Sequence, residues 1–297
     1  MPIRNSFYVL MCNFKLVYKL LFFILIIILI AVALTFSIVR PIFDGYYDFL
    51  REQFEYHAEE MIRHPIKTIQ SFFAIFLEYF DINSAFINLK LLKLAFLFIG
   101  LRFFVMLPMM PVASVIYSKM TTNFDKGLFN SFVSSLPQCL LYTLITSIII
   151  GLIDLGLLAL VALTTVQLVK LIGITALPLS LALCIALFSL RMALLCQWMP
   201  EICQNNGKKI FSAFKTSLKP TFKQFSKNYI CITVVNTLSV VAISTTLVPT
   251  AGLVPILLVP TLIVLYQSLY LTLNFSYRKQ KYFIDNGVTV YDPNKIF

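Results

Sequence analysis

Long runs of apolar residues constrain the fold of this chain more than any other feature of its sequence. One of them holds the unbroken segment FFILIIILIAVAL at residues 22–34. A helix needs about 20 apolar residues to cross a bilayer core of roughly 30 Å, whereas a transmembrane β-barrel shows alternating segments of about ten residues. Six runs are long enough for helical spans: Leu20–Val39, Leu92–Val112, Cys139–Leu163, Ile172–Trp198, Tyr229–Val248 and Leu253–Phe275.

The composition excludes a soluble globular domain. Apolar residues make up 59% of the 297 positions and charged residues only 12%, and the mean hydropathy is +0.87. Soluble domains carry about twice that share of charged residues. We therefore predict an all-α polytopic membrane protein with six transmembrane helices, built as a single membrane domain over residues 1–297.

The basic residues cluster on one side of the predicted membrane. Fifteen Lys and Arg, against four acids, lie in the two termini and in the segments that follow spans two and four. Because Lys and Arg are retained on the cytoplasmic side, both termini of this multi-pass protein of the cell membrane are predicted to be cytoplasmic. The net charge of +11 then reflects topology and anionic inner-leaflet lipids, and it does not indicate nucleic-acid binding.

An internal repeat organises the chain. The segment LRFFVMLPMMP at Leu101–Pro111 is echoed by LRMALLCQWMP at Leu190–Pro200. These copies lie in spans two and four, which run in the same direction, so they predict two parallel repeat units at about 92–163 and 172–248. We expect the proline that ends each copy to break the helix at the inner end of its span.

A basic segment with regularly spaced phenylalanines follows each copy. We predict helices at Asp125–Leu136 and Gly207–Ser226, the second within a basic cytoplasmic segment at 205–227. Apolar side chains at spacings of three and four, with lysines between them, are typical of a helix in the headgroup plane. The alternative is a cap that packs on the bundle without specific lipid contact. The lysines assigned to the lipid surface are Lys208, Lys209, Lys215, Lys219 and Lys223.

Three ionisable residues within the predicted spans are functional candidates, because a charge is costly to place in lipid. Arg102 and Arg191 occupy equivalent positions of the repeat, and Asp154 lies in span three. Two arginines and one acid would leave a positive interior that attracts an anion such as a phosphate headgroup, and Asp154 could pair with one arginine. The alternative is that both guanidinium groups snorkel to the inner headgroups.

Uncharged polar residues occur in the last two spans. They are Asn236 in span five, and Gln267 and Asn274 in span six. Hydrogen bonds between helices explain such residues more simply than a transport path does. We therefore expect their partners on neighbouring helices.

The segment at 41–90 is predicted to be an extracytoplasmic helical loop. It holds the two histidines of the chain. His57, Glu60 and His64 are spaced i, i+3, i+7, which puts them along one face of a helix, and imidazole and carboxylate groups can ligate zinc. The spacing also suits a solvated helix face, so this is a weak metal candidate, and no metal or cofactor is predicted.

The second half of the chain resembles a known family in its order of elements. The basic run GKKIFSAFKTSLKPTFKQFSKNY, the turn VPTAGLVPILLVP and a last span ending in LYQSLYLTLNFSYRKQ are similar to the six-span membrane domain found beside bacterial glycerophosphodiester phosphodiesterases. The resemblance covers roughly Leu92–Lys281 and implies fold more than activity, because the hydrolase chemistry of that family belongs to a separate soluble barrel. The longest stretch outside the predicted spans has about fifty residues, far fewer than a barrel needs.

The sequence favours two functions, neither of them enzymatic. It contains no Walker loop, GxGxxG motif, paired acids or nucleophile with a base, so no enzyme is predicted. The first hypothesis is a non-catalytic integral membrane protein that organises lipids or partner proteins through basic amphipathic helices. The alternative is a transporter of an anionic or amphiphilic solute that uses Arg102 and Arg191. Anionic membrane lipids are the expected partners, a protein partner is a second expectation, and nucleic acid is not expected.

Overall fold

The computed structural model describes residues 2–34, 36–37, 51, 84–205, 210–247, 249–250, 252–284 and 290–291. Within these residues the chain forms twelve α-helices and one two-stranded ribbon. The helices are α1 Pro2–Cys12, α2 Phe14–Leu34, α3 Ser84–Met106, α4 Met109–Thr122, α5 Leu128–Ser134, α6 Leu136–Ile145, α7 Gly151–Ile172, α8 Ala176–Leu195, α9 Trp198–Gln204, α10 Ile210–Lys223, α11 Phe225–Leu247 and α12 Leu253–Arg278, and the strands are β1 Tyr282–Phe283 and β2 Val290–Tyr291.

Among the described residues, six helical segments are long and apolar enough to cross a membrane, in the order predicted. The first begins at Phe14 instead of Leu20, because lysine stems extend along a helix and need not end it. The third continues to Ile172 instead of Leu163 and carries Lys170 in its last turn. The segments are Phe14–Leu34, Leu92–Thr122, Leu136–Ile172, Ala176–Gln204, Phe225–Leu247 and Val254–Arg278.

The two copies of the repeat break at equivalent points. Helix α3 ends at Met106 and α4 begins at Met109, while α8 ends at Leu195 and α9 begins at Trp198. As a result, the last proline of each copy, Pro111 or Pro200, falls in the first turn of α4 or α9.

Pro111 and Pro200 therefore lie in the first turns of α4 and α9, and the expectation that they break the helix was wrong. The backbone N–H groups of a first helical turn have no acceptor within the helix, so a proline is tolerated there. The breaks themselves come earlier, at Leu107–Pro108 in one copy and at Cys196–Gln197 in the other.

The described residues form two compact units. One unit comprises the described parts of Met1–Ile26, Phe103–Ser147 and Ile185–Phe297, and the other those of Ile27–Arg102 and Ile148–Cys184. In the first unit, the repeat-related helices α4 and α9 pack against each other and against α12, which also contacts α1 and α11. Helix α12 is the most buried span, with 56% of its apolar window buried against 22–28% in the other five.

The C-terminal ribbon packs within the first unit. The Tyr282 ring lies 5.2 Å from the Phe275 ring, and Asn5 Nδ2 donates a hydrogen bond of 2.8 Å to the Tyr282 hydroxyl. Burial raises the pKa of Tyr282 above its ordinary value. The hydroxyl is therefore neutral at physiological pH and joins the N-terminal helix to the end of the chain.

Most of the predicted extracytoplasmic loop lies outside the described residues. Helix α3 begins at Ser84, so the helix that carries the second span starts within the segment predicted to be the loop. His57, Glu60 and His64 lie outside the described residues. Among the residues that the structure does describe, no group of three His, Cys, Asp or Glu side chains is arranged to hold a metal ion.

Candidate functional site

Helix α10 presents three different faces. One face packs on the protein, the next exposes aromatic rings, and the third exposes lysines. Phe211 and Phe222 are 66% and 65% exposed, and these two residues fall on the same side because successive residues turn by about 100°. The buried residues are Ile210, Ala213, Ser217, Pro220 and Thr221.

Trp198 sets the orientation of α10. Its indole Nε1 donates a hydrogen bond of 3.1 Å to the Ile210 carbonyl, and its ring meets the Phe214 ring edge-on at 5.0 Å. On its other side it packs edge-on against Tyr142 at 5.2 Å. Because Trp198 is the first residue of α9, the second copy of the repeat holds the basic helix that follows it.

The lysines predicted for this helix divide into two groups. Lys215, Lys219 and Lys223 are exposed on α10. Lys208 and Lys209 lie at 206–209, outside the described residues. Helix α10 packs on the bundle through one face and leaves its rings and lysines exposed on the others, so specific lipid contact stays a prediction.

The equivalent helix of the first copy is shorter. Helix α5 begins at Leu128 because Gly127 before it is extended, with φ −63° and ψ 138°, so the prediction that this helix begins at Asp125 was wrong. It buries Ser131 where α10 buries Ala213, and it exposes Phe129 where α10 exposes Phe211. A new helix, α6, begins at Leu136, with Pro137 in its first turn.

Arg102 and Asp154 form a buried ion pair between α3 and α7, with the Arg102 Nη1 donating to Asp154 Oδ2. Gly151 lies one turn before Asp154, and a Cβ at this position would stand 3.3 Å from Arg102 Cδ. The glycine therefore leaves room for the arginine stem to run along α7 toward the acid.

Arg191 belongs to the other compact unit. Its guanidinium carbon lies 5.8 Å from the centre of the Phe188 ring, a distance typical of a cation–π contact. Two residues before Arg191, Ser189 Oγ accepts a hydrogen bond of 2.7 Å from Asn236 Nδ2, and the Tyr266 hydroxyl donates to Asn236 Oδ1. Interhelical hydrogen bonding, as expected for Asn236, is confirmed.

A second ion pair was not singled out from the sequence. Glu201, buried in α9, accepts bonds of 2.6 and 2.7 Å from Arg278 Nη2 at the end of α12. Asn274 Nδ2 donates to Glu201 Oε1 at 3.2 Å and to Gln197 Oε1 at 2.9 Å, while Gln204 Nε2 donates to Asn274 Oδ1 at 2.8 Å. The one available signal was that Glu201 is an acid placed directly after the Met-Pro motif.

These features define the class of the protein, which is a mainly helical polytopic membrane protein with six apolar spans among the described residues and a basic helix packed after its second repeat copy. Comparison with protein-family models, with curated proteins and with solved structures gave no match. The resemblance to the membrane domain that accompanies phosphodiesterases therefore stays a prediction.

Proposed function

We propose that this protein is a non-catalytic integral membrane protein that organises anionic lipids at its basic surface. Helix α10 carries the proposal. Its exposed phenylalanines lie beside its exposed lysines on a helix held by Trp198, which is the side-chain order of a helix in the headgroup plane. The predicted orientation puts this helix on the cytoplasmic side, where anionic lipids attract lysines.

The lysines and the rings contribute in different ways. Each lysine near an anionic surface contributes about 1 kcal/mol, whereas the rings bury apolar area independently of lipid charge. Because α10 is already packed on the protein, lipid contact costs little additional ordering of its backbone. Lipid enrichment next to α10 is the expected result.

Lipid enrichment can be measured with spin-labelled lipids. In vesicles of phosphatidylcholine containing the full chain, the fraction of motionally restricted label is compared for spin-labelled phosphatidylglycerol and phosphatidylcholine. We expect the parent to prefer phosphatidylglycerol at low salt. The variant K215Q/K219Q should lower this preference by about twofold or more, since two surface charges are lost.

A matched control is K279Q/K281Q, which removes two exposed lysines after α12 and should have a smaller effect. The variant F211S/F222S should reduce restriction of both lipids without changing charge. Equal losses in K215Q/K219Q and K279Q/K281Q would show that general charge, and not α10, attracts lipid. Flux of labelled phosphate that disappears in R102L/R191L would favour the carrier hypothesis instead.

A further inference from the structure

A cavity of about 330 Å³ opens where α1, α2 and α4 meet. The turn between α1 and α2 forms one wall, and the segment between α4 and α5 forms another. The cavity lies within one compact unit, so all its walls belong to the same packed body. Its charged lining residues are Lys15, Lys19, Lys119, Lys126 and Asp125.

Lys119 is a largely buried charge of this lining. Its side chain is only 12% exposed, and its Nζ donates 3.3 Å to the Cys12 carbonyl and lies 3.1 Å from Asp125 Oδ1. Asp125 itself is 84% exposed, so it is held only loosely by the protein. An anion that enters the cavity can replace this carboxylate at the lysine.

We propose that this cavity binds the phosphate group of an anionic phospholipid. Four lysines against one aspartate give a strongly positive lining, and each ammonium offers three donors to phosphate oxygens. The volume is near the lower limit of ligand pockets, which hold roughly 300–1,000 Å³. The cavity therefore suits a single headgroup and not a large solute.

Helix α2 provides the argument for a lipid as the source of the phosphate. Lys15, Lys19, Phe22 and Ile26 follow one another at spacings of four, three and four, which places them in one stripe along the helix. Phe22 and Ile26 are exposed. A headgroup in the cavity would thus have its acyl chains along exposed apolar side chains that lead toward the membrane centre.

This inference extends the proposed function, because it adds a single defined headgroup site to the general attraction of lipid by α10. The two sites differ in residues: α10 contributes none of the cavity lining. Variants in one should leave the other intact.

Native mass spectrometry of the full chain in neutral detergent tests the site. Short-chain phosphatidic acid is titrated with phosphatidylcholine as the competing lipid, and inorganic phosphate is titrated separately by calorimetry. We expect one phosphatidic acid to bind at least tenfold more tightly than phosphatidylcholine. K15Q/K19Q should weaken this binding at least tenfold, because about 1 kcal/mol per lysine corresponds to roughly fivefold for each.

The variant D125N should strengthen binding severalfold, since it removes the carboxylate that competes for Lys119. The control K281Q, with one lysine changed outside the cavity, should bind as the parent does. K215Q/K219Q should keep the single tight site even if it loses the general preference for anionic lipid, so failure of the proposed function and failure of the cavity are distinguishable. Unchanged binding in K15Q/K19Q, or inorganic phosphate binding as tightly as phosphatidic acid, would overturn the proposal.

Discussion

At the scale of single residues, the two candidate arginines of the spans contact specific partners. Arg102 pairs with Asp154, and Arg191 lies over the Phe188 ring. Snorkelling to the headgroups, which is open to a long arginine side chain, is therefore not the arrangement of Arg102. The space above Gly151 allows this pairing.

Replacing Asp154 by Ala should destabilise the protein by about 3 kcal/mol, because it leaves the Arg102 guanidinium buried without its counter-charge. The double variant R102L/D154L should recover most of this loss, since an apolar pair of similar volume replaces both charges. The free energy of unfolding in mixed detergent micelles measures both effects. A D154A variant as stable as the parent would mean that Arg102 can reach the headgroups.

At the scale of elements, short interruptions determine where helices begin and end. The thiol of Cys139 on α6 lies 3.0 Å from the Leu107 carbonyl at the first break, so a neighbouring helix satisfies a group that the break leaves open. Between α7 and α8 the turn takes only three residues, Gly173–Thr175. Its first residue has φ +66° and ψ −145°, a conformation that residues with a Cβ rarely adopt.

The variant G173A should therefore cost about 1–3 kcal/mol through backbone strain alone, since no atom lies within 4 Å of the added Cβ. Gly156 is the matched control, because it also has open space around it but lies inside α7. G156A should stabilise the protein by about 0.5–1 kcal/mol. The midpoints of thermal unfolding in detergent should move in opposite directions, and a fall in both would contradict the backbone argument.

At the scale of the whole molecule, α12 is the central helix of the larger unit. It contacts α1, α4, α9 and α11, and Arg278 and Asn274 at its C-terminal end bind Glu201. Repeat-related helices α4 and α9 pack on it together. The pseudo-symmetry of the two repeat units remains a prediction, to which the equivalent breaks of the two copies lend support.

Replacing Arg278, the partner of Glu201, should lower the stability of the protein. R278M leaves a buried carboxylate with only amide donors, and we expect a loss of about 2–3 kcal/mol. E201Q keeps one acceptor oxygen, which Asn274 and Arg278 can share, so it should cost less than half as much. Because Arg278 is 35% exposed, water can solvate its guanidinium group in E201Q. Equal losses of stability in R278M and E201Q would contradict the expected difference. Thermal unfolding in detergent gives the ranking.

Part of the candidate site could be predicted from residue spacing. The rings of α10 and its exposed lysines recur at helical spacings, so a helix and two of its faces followed from the pattern. The buried face of α10 could not be predicted in this way, because Ala213, Ser217 and Thr221 are small residues that form no apolar pattern. The basic cavity could not be predicted either, since Lys15 and Lys119 are 104 positions apart in the chain and their approach depends on how α2 and α4 pack.

The helical membrane class, the six predicted spans and the repeated motif follow from residue order alone, because apolar length and charge placement are local properties that a bilayer imposes on any chain. The pairing of charges depends instead on how the helices pack. Arg102 pairs with Asp154, Arg278 pairs with Glu201, and four lysines line one cavity. These neighbours lie on different parts of the chain, so the residue spacing within any one segment cannot predict them.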